Sequence, residues 1–170
     1  MSNLLASVHV LVDGANLRGS LPGTGWDRID ARRLRQWAGA YGHPTVDWFQ
    51  GSYPGTAGFF SHLRAAGIRV HTRTPKLFAD GRRKADMDLD LALAAVDDAG
   101  RFDTVVLISG DGDFGPLVAR LVERGVRVVV VATRRCLGPE LLEHLDDPDD
   151  DFVELEQALE SFGQRRPSAA

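Results

Sequence analysis

The sequence predicts an α/β fold with a parallel β-sheet, because strand-like and helix-like segments alternate regularly along its 170 residues. Segments 8–12, 104–108 and 126–132 are almost wholly apolar, which is typical of strands buried on both faces of such a sheet. The first two segments run directly into aspartates. Because ligands of parallel α/β sheets bind at the carboxyl ends of the strands, where strand order reverses, these aspartates mark the expected site.

The other elements follow from hydrophobic periodicity and from cap and breaker residues. A helix is predicted from Asp27 or Asp30, either of which can cap it, to about residue 40. The stretch that follows Asn16 is rich in glycine and proline and is interpreted as a loop. The remaining predictions are strands at 46–53 and 68–71, helices at 55–66, 86–98 and 113–124, a polar loop at 72–84, and an edge strand at 152–153 before a last helix.

The length and composition fit one domain, expected over residues 1–163, with a disordered tail at 164–170. Cys136 is the one cysteine, which excludes an internal disulfide and gives no sign of an oxidising compartment. No signal peptide and no apolar stretch of membrane-spanning length is apparent. A cytoplasmic protein with no membrane partner is therefore expected.

The net charge of −4 is unevenly distributed, so it argues neither for nor against a nucleic-acid partner. An acidic run at 146–151 contains five aspartates, and the rest of the chain is close to neutral. A basic cluster, Arg82, Arg83 and Lys84, lies in the predicted loop. These side chains and Arg18 can bind RNA phosphates, although a solvated loop explains the cluster equally well.

Three segments carry acids where strands or helices would direct them to one place: 13–16 (DGAN), 84–90 (KADMDLD) and 109–114 (SGDGDF). Carboxylates that are forced together raise each other's pKa unless a cation compensates them. Hard cations such as Mg²⁺ or Mn²⁺ prefer oxygen ligands and promote phosphate-ester hydrolysis. If strands 8–12 and 104–108 are neighbours, the acids Asp13, Asp111 and Asp113 meet there, and Ser109 can hydrogen-bond Asp13 or Asp111.

Each acid also has a purely local explanation. An aspartate after a strand commonly forms a turn or caps a helix, which applies to Asp13, Asp111 and Asp113. Acids in a first helical turn also interact favourably with the helix macrodipole, which applies to 86–90. Within that segment Asp88 is the preferred metal ligand, with Asp86 and Asp90 as the alternatives.

The three segments, in this order, resemble the hallmark motifs of NYN domains, which are PIN-like nucleases that include the LabA/DUF88 branch. The resemblance implies a PIN-like three-layer α/β/α sandwich with a metal-dependent ribonuclease site. Asp13, Asp111 and Asp113 match acidic positions of the family, Asn16 matches its paired asparagine, and Asp88 is the best match in the middle motif. The chain departs from the family at Ala94, where many members have an acid, and Asp150 is a candidate for a late acid that many members carry.

The function expected from these observations is hydrolysis of RNA phosphodiesters at Asp13, Asp88, Asp111 and Asp113, with Asn16 orienting a carboxylate or a water. The first alternative is a non-catalytic RNA-binding or protein-interaction module of the same fold, and a homodimer is possible. A phosphatase of the haloacid dehalogenase type would use Asp13 as its nucleophile. Such enzymes have a second aspartate two residues later, where this chain has Ala15.

Overall fold

The computed structural model of the chain describes residues 6–81 and 83–165, and for residues 83 and 84 it describes the backbone alone. Its strands are β1 (Ser7–Asp13), β2 (Arg28–Ile29), β3 (His43–Gly51), β4 (Arg69–Arg73), β5 (Lys76–Leu77), β6 (Arg83–Lys84), β7 (Thr104–Ile108), β8 (Arg127–Ala132), β9 (Phe152–Glu154) and β10 (Gly163–Gln164). Its α-helices are α1 (Gly14–Ser20), α2 (Ala31–Ala38), α3 (Ala57–Ala65), α4 (Asp88–Asp98), α5 (Gly115–Glu123) and α6 (Leu155–Phe162).

Six strands form one parallel sheet in the order β4-β3-β1-β7-β8-β9. From β1 the chain builds outward through β3 to β4, and it then returns to the other side of β1 to build β7, β8 and β9. Strand order therefore reverses between β1 and β7, which pair from Val8 opposite Thr104 to Val12 opposite Ile108. The predicted neighbours at the switch point are confirmed.

Helices cover both faces of the sheet, so the predicted three-layer α/β/α architecture is confirmed. Alternate residues of β1 enter different cores: Val10 packs with α1, α2, α3 and α6, whereas Leu11 packs with α4 and α5. This alternation explains why the central strands are apolar at almost every position. None of the helices in residues 6–81 and 83–165 combines the length and hydropathy that crossing a membrane requires.

The structure differs from the sequence-based expectations in three places. The predicted loop after Asn16 is helix α1, which Asp13 caps and Leu17 anchors in the core. Strand β4 continues to Arg73, and the rest of the predicted loop contains the antiparallel hairpin β5–β6. Gln164, assigned to a disordered tail, pairs with Arg28, while residues 166–170 lie outside the described part of the chain.

Two ambiguous predictions are also resolved. Asp30, not Asp27, caps α2, because its carboxylate accepts hydrogen bonds from the backbone N–H groups of Arg32 and Arg33. The edge strand is present as β9. Asp150 precedes β9 in a turn with Asp147, at the amino-terminal end of that strand, so it does not lie with the acids at the carboxyl edge.

The sequence analysis did not predict the ionic network that surrounds the buried carboxylate of Asp47. Asp47 on β3 is 1% exposed and accepts hydrogen bonds from the side chains of three residues on the strands beside it. The distances are 2.5 Å to His9 Nε2, 2.7 Å to Arg69 Nε and 2.8 Å to His71 Nε2. These contacts hold the pKa of Asp47 well below its usual range, against the opposing effect of burial.

Candidate active site

Asp13 and Asp111 lie at the carboxyl ends of the two strands that flank the switch point. Asp13 is the last residue of β1 and is 8% exposed, and its Oδ1 accepts a hydrogen bond from the Asn16 N–H at 3.0 Å. Asp111 follows β7 and caps the short 3₁₀ turn Gly112–Phe114, accepting from the Asp113 N–H at 3.0 Å. Both aspartates therefore have the capping role expected from local geometry, and both are also brought to the same edge of the sheet.

Two polar side chains connect these strand ends. Ser109 Oγ donates to Asp13 Oδ2 at 3.0 Å and accepts from the Asp111 N–H at 3.2 Å. Asn16 Oδ1 accepts from the Gly110 N–H at 3.0 Å. Two of these contacts, Ser109 to Asp13 and Gly110 to Asn16, join the start of α1 to the segment after β7, and the third ties Asp111 to Ser109. Asp13 and Asp111 are thereby held near each other.

Asp88, the first residue of α4, interacts electrostatically with both of these acids. Burial is the largest effect and, together with the charges of Asp86, Asp13 and Asp111, raises the pKa of Asp88 to about 7. Burial also raises the pKa of Asp13, with a smaller contribution from the Asp111 charge, while hydrogen bonds from Asn16 and Ser109 oppose the shift. The three carboxylates thus form a cluster in which full ionisation is unfavourable.

The other acids of the predicted set have different surroundings. Asp113 is exposed, and its backbone N–H, not its carboxylate, provides its hydrogen bond to Asp111. Asp90 pairs with Arg73 at 2.8 Å. Asp86 Oδ1 accepts from the Asp88 N–H at 3.2 Å, which orders the start of α4. The charges of Asp13 and Asp111 both raise the pKa of Asp88, which supports placing Asp88 at the same edge.

The predicted RNA-binding residues are only partly within the described structure. Arg82 lies outside it. The backbone of Arg83 and Lys84 forms β6, paired with Leu77 and Lys76, and leads directly towards Asp88. Arg18 is an exposed residue of α1, one turn beyond Gly14.

Glu140 is an acid near the cluster that the sequence analysis missed. It belongs to the 3₁₀ turn Pro139–Leu141, and its Oε2 lies 2.5 Å from the position that a Cβ on Gly112 would occupy. The same loop contacts Gly110, whose carbonyl accepts from the Gly138 N–H at 2.8 Å. No sequence signal links Glu140 to Asp111, since the approach depends on how the loop after β8 folds back.

The donor set suits a hard divalent cation, because it consists of carboxylate, hydroxyl and amide oxygens. Within residues 6–81 and 83–165, no three His, Cys, Asp or Glu side chains already converge as a metal-binding group. Mg²⁺ commonly needs only one or two carboxylates, with water and substrate phosphate as its other ligands. Burial is the largest cause of the raised pKa of both Asp13 and Asp88, and a cation held beside them would favour their ionised forms.

Gly14 allows Trp48 to pack against the start of α1, next to Asp13. A Cβ at Gly14 would lie 2.3 Å from Trp48 Nε1 and 2.7 Å from Gln50 Oε1, and these two atoms share a 2.9 Å hydrogen bond.

We expect Gly14→Ala to lower the free energy of unfolding by about 1–3 kcal/mol through overpacking. Gly19→Ala on the same helix has open space around the new methyl group and should raise stability by about 0.5–1 kcal/mol. Urea unfolding of both variants measures whether the free energy of unfolding falls in Gly14→Ala and rises in Gly19→Ala. A Gly14→Ala protein as stable as wild type would contradict the close packing of Trp48 against Gly14.

The parallel sheet and the acids at its carboxyl edge together define a class of α/β protein, in which acidic side chains gather where strand order reverses. The family model of the NYN domain matches residues 7–156, and the chain belongs to this family, whose members are PIN-like and nuclease-related. PIN-like nucleases typically use divalent metals. The predicted family is thereby confirmed.

Two individual proteins are similar to the chain over most of its length. The chain is 27% identical to the low amplitude and bright protein LabA of Synechococcus elongatus, over 90% of each chain. It is also similar to the crystal structure of a protein of unknown function from Vibrio parahaemolyticus. That likeness has a TM-score of 0.75 and 25% sequence identity, and it covers 96% of this chain and 99% of the other.

Proposed function

We propose that this protein is a Mg²⁺- or Mn²⁺-dependent ribonuclease that hydrolyses RNA phosphodiesters at the edge formed by Asp13, Asp111 and Asp88. The observation that carries the proposal is the hydrogen-bonded bridge through Ser109, which fixes Asp13 and Asp111 at the ends of adjacent strands. Membership in a nuclease-related family supports the reaction class. The electrostatic interaction of Asp88 with both acids supports its inclusion in the same site.

In this proposal Asp13, Asp88 and Asp111 hold the cation, and the exposed Asp113 carboxylate can join them when substrate binds. The cation would neutralise phosphate charge and promote attack by water. Asn16 and Ser109 orient the two strand ends, and the basic residues Arg82, Arg83 and Lys84, with Arg18, bind RNA phosphates. The cytoplasm is the proposed location, and association into a homodimer stays a prediction.

We expect the wild-type protein to cleave single-stranded or structured RNA in Mg²⁺ or Mn²⁺ and to lose that activity when the metal is chelated. Asp111→Asn should abolish cleavage and weaken Mn²⁺ binding in isothermal titration, because it removes a carboxylate from the cluster. Asp97→Asn is the matched control, since Asp97 is exposed on α4 and faces away from the edge. Equal activity of wild type and Asp111→Asn, or activity that survives chelation, would contradict the proposal.

A non-catalytic RNA-binding module is the second candidate, and a specific observation favours it. The described acids do not already converge on one metal position, and Asp113 is exposed. Metal-independent RNA binding by wild type, with no cleavage of any RNA tested, would support this candidate. The phosphatase alternative is weaker, because both oxygens of Asp13 accept hydrogen bonds and position 15 is an exposed alanine.

A further inference from the structure

A groove of about 860 Å³ lies on the side of the sheet covered by α1 and α3. Its floor is Trp48 on β3, which is fully buried, and its walls come from α1, α3 and the segment between α1 and α2. This size is typical of sites that enclose a small organic ligand. The proposed ribonuclease function does not yet assign a role to it.

The groove and the acidic edge are built on the same short helix. Asp13 caps α1, and Arg18, which lines the groove, lies five residues further along, about 7 Å by the helical rise. Trp48 packs against Gly14, the residue that follows Asp13. A chain that is bound at Asp13 can therefore reach the groove with its neighbouring unit.

The lining combines aromatic rings with charged groups of both signs. Its two acids are Asp27 and Asp30, and the Asp30 carboxylate accepts hydrogen bonds from the first turn of α2. Phe59 is half-buried and packs nearly at right angles to Trp48, with ring centroids 5.3 Å apart. Trp26 forms a fixed wall, because it packs on Gly163 and carries the Arg165 guanidinium 4.5 Å from its ring centroid.

Three exposed groups, Arg18, Arg28 and His62, lie around the opening. Aromatic walls with adjacent arginines are the chemistry that binds single-stranded nucleic acid, since every base has a flat face and every linkage a negative charge.

We propose that this groove is a nucleobase subsite, which holds one unpaired base of the RNA next to the phosphodiester at Asp13. Phe59 stacks on the base, Trp48 and Trp26 set the width of the groove, and Arg18 contacts the phosphate between the base and the acidic edge. This inference rests on the proposed function for its ligand, RNA, and extends it to an unpaired nucleotide at one position beside the cleaved bond.

The test measures binding of a short fluorescent single-stranded RNA in chelator, where no cleavage is expected. Phe59→Leu keeps an apolar side chain but removes the flat ring, and Arg18→Gln removes the charge. Each should weaken binding by roughly fivefold to a hundredfold, the range that stacking and phosphate contacts cover. Phe102→Leu, at the opposite end of the sheet, and Arg64→Gln, on the far side of α3, are the matched controls and should bind as wild type.

Abasic substitution of the RNA separates base stacking from phosphate binding. When the base is removed at one particular position, wild type and Phe59→Leu should bind equally, whereas Arg18→Gln should stay weakened. If Phe59→Leu weakens binding of fully abasic and normal RNA alike, or binds normal RNA as wild type does, the subsite is overturned. Thermal unfolding of each variant shows whether it is folded.

The two proposals fail separately in these experiments. RNA cleavage by wild type together with unchanged binding in Phe59→Leu and Arg18→Gln overturns the subsite and leaves the ribonuclease. Base-dependent loss of binding in Phe59→Leu, with no cleavage in any metal, supports the subsite and overturns the ribonuclease. Binding by wild type that does not distinguish normal from abasic RNA at any position also overturns the subsite.

Discussion

Asp13→Asn is expected to lower the rate of RNA cleavage roughly a thousandfold while leaving the protein as stable as wild type or more stable. A thousandfold loss corresponds to about 4 kcal/mol of transition-state stabilisation, a reasonable share for a carboxylate that holds a catalytic cation. The amide can keep the hydrogen bonds, because its oxygen accepts from the Asn16 N–H and its NH₂ group can donate to Ser109 Oγ.

The expected gain in stability follows from the pKa of Asp13. Burial raises this pKa, so ionised Asp13 is less favourable at neutral pH in the folded protein than in the unfolded chain. A neutral amide of the same shape removes that cost. Loss of activity combined with an unchanged or higher Tm is the pattern expected of a residue retained for function at the expense of stability.

Single-turnover cleavage and thermal unfolding in the same buffer test both expectations. Asp103→Asn is a control with the opposite expected effects. Hydrogen bonds from Ser7 lower the pKa of Asp103, so this substitution should lower the Tm and leave cleavage unchanged. Cleavage by Asp13→Asn within tenfold of wild type would remove Asp13 from the site. A large fall in its Tm would attribute the lost activity to unfolding.

The central strands and the position of the site are predictable from the sequence for the same physical reason. A strand buried on both faces needs apolar residues at nearly every position, so β7 and β8 stand out locally. The glycines and aspartates that follow such strands mark the edge where the backbone turns and polar groups collect. Asp13 and Asp111 could therefore be assigned to one edge before any contact between them was known, although their catalytic role stays a prediction.

Local sequence patterns gave one wrong prediction, at helix α1, and gave no prediction of several long-range contacts. The end of helix α1 was predicted as a loop because the stretch after Asn16 is rich in glycine and proline, but the Asp13 cap and the burial of Leu17 outweigh that propensity. The approach of Glu140 to Gly112 and the contacts of Asp47 join residues that are far apart in sequence. Such contacts depend on strand order and loop path, which no short window of sequence encodes.

Asp47→Ala is expected to lower the free energy of unfolding by about 3–5 kcal/mol, because it removes a buried carboxylate and leaves buried His9 without its hydrogen-bond partner. His9 is fully buried, and Arg69 and His71 also donate to this carboxylate. The network lies about 13 Å along β1 from Asp13, so cleavage per folded molecule should be retained. Urea unfolding at neutral pH measures the loss, with exposed Asp97→Ala as the control.

The pH dependence of stability gives this prediction a second test. The folded-state pKa of Asp47 is lowered below the unfolded value of about 3.9, so its ionisation stabilises the fold above about pH 4. That contribution is lost as pH falls from about 4 through the folded-state pKa. The stability difference between wild type and Asp47→Ala should therefore shrink between about pH 5 and pH 2. A difference below about 1 kcal/mol at neutral pH, or one that stays constant down to pH 2, would show that Asp47 does not stabilise the fold through its charge.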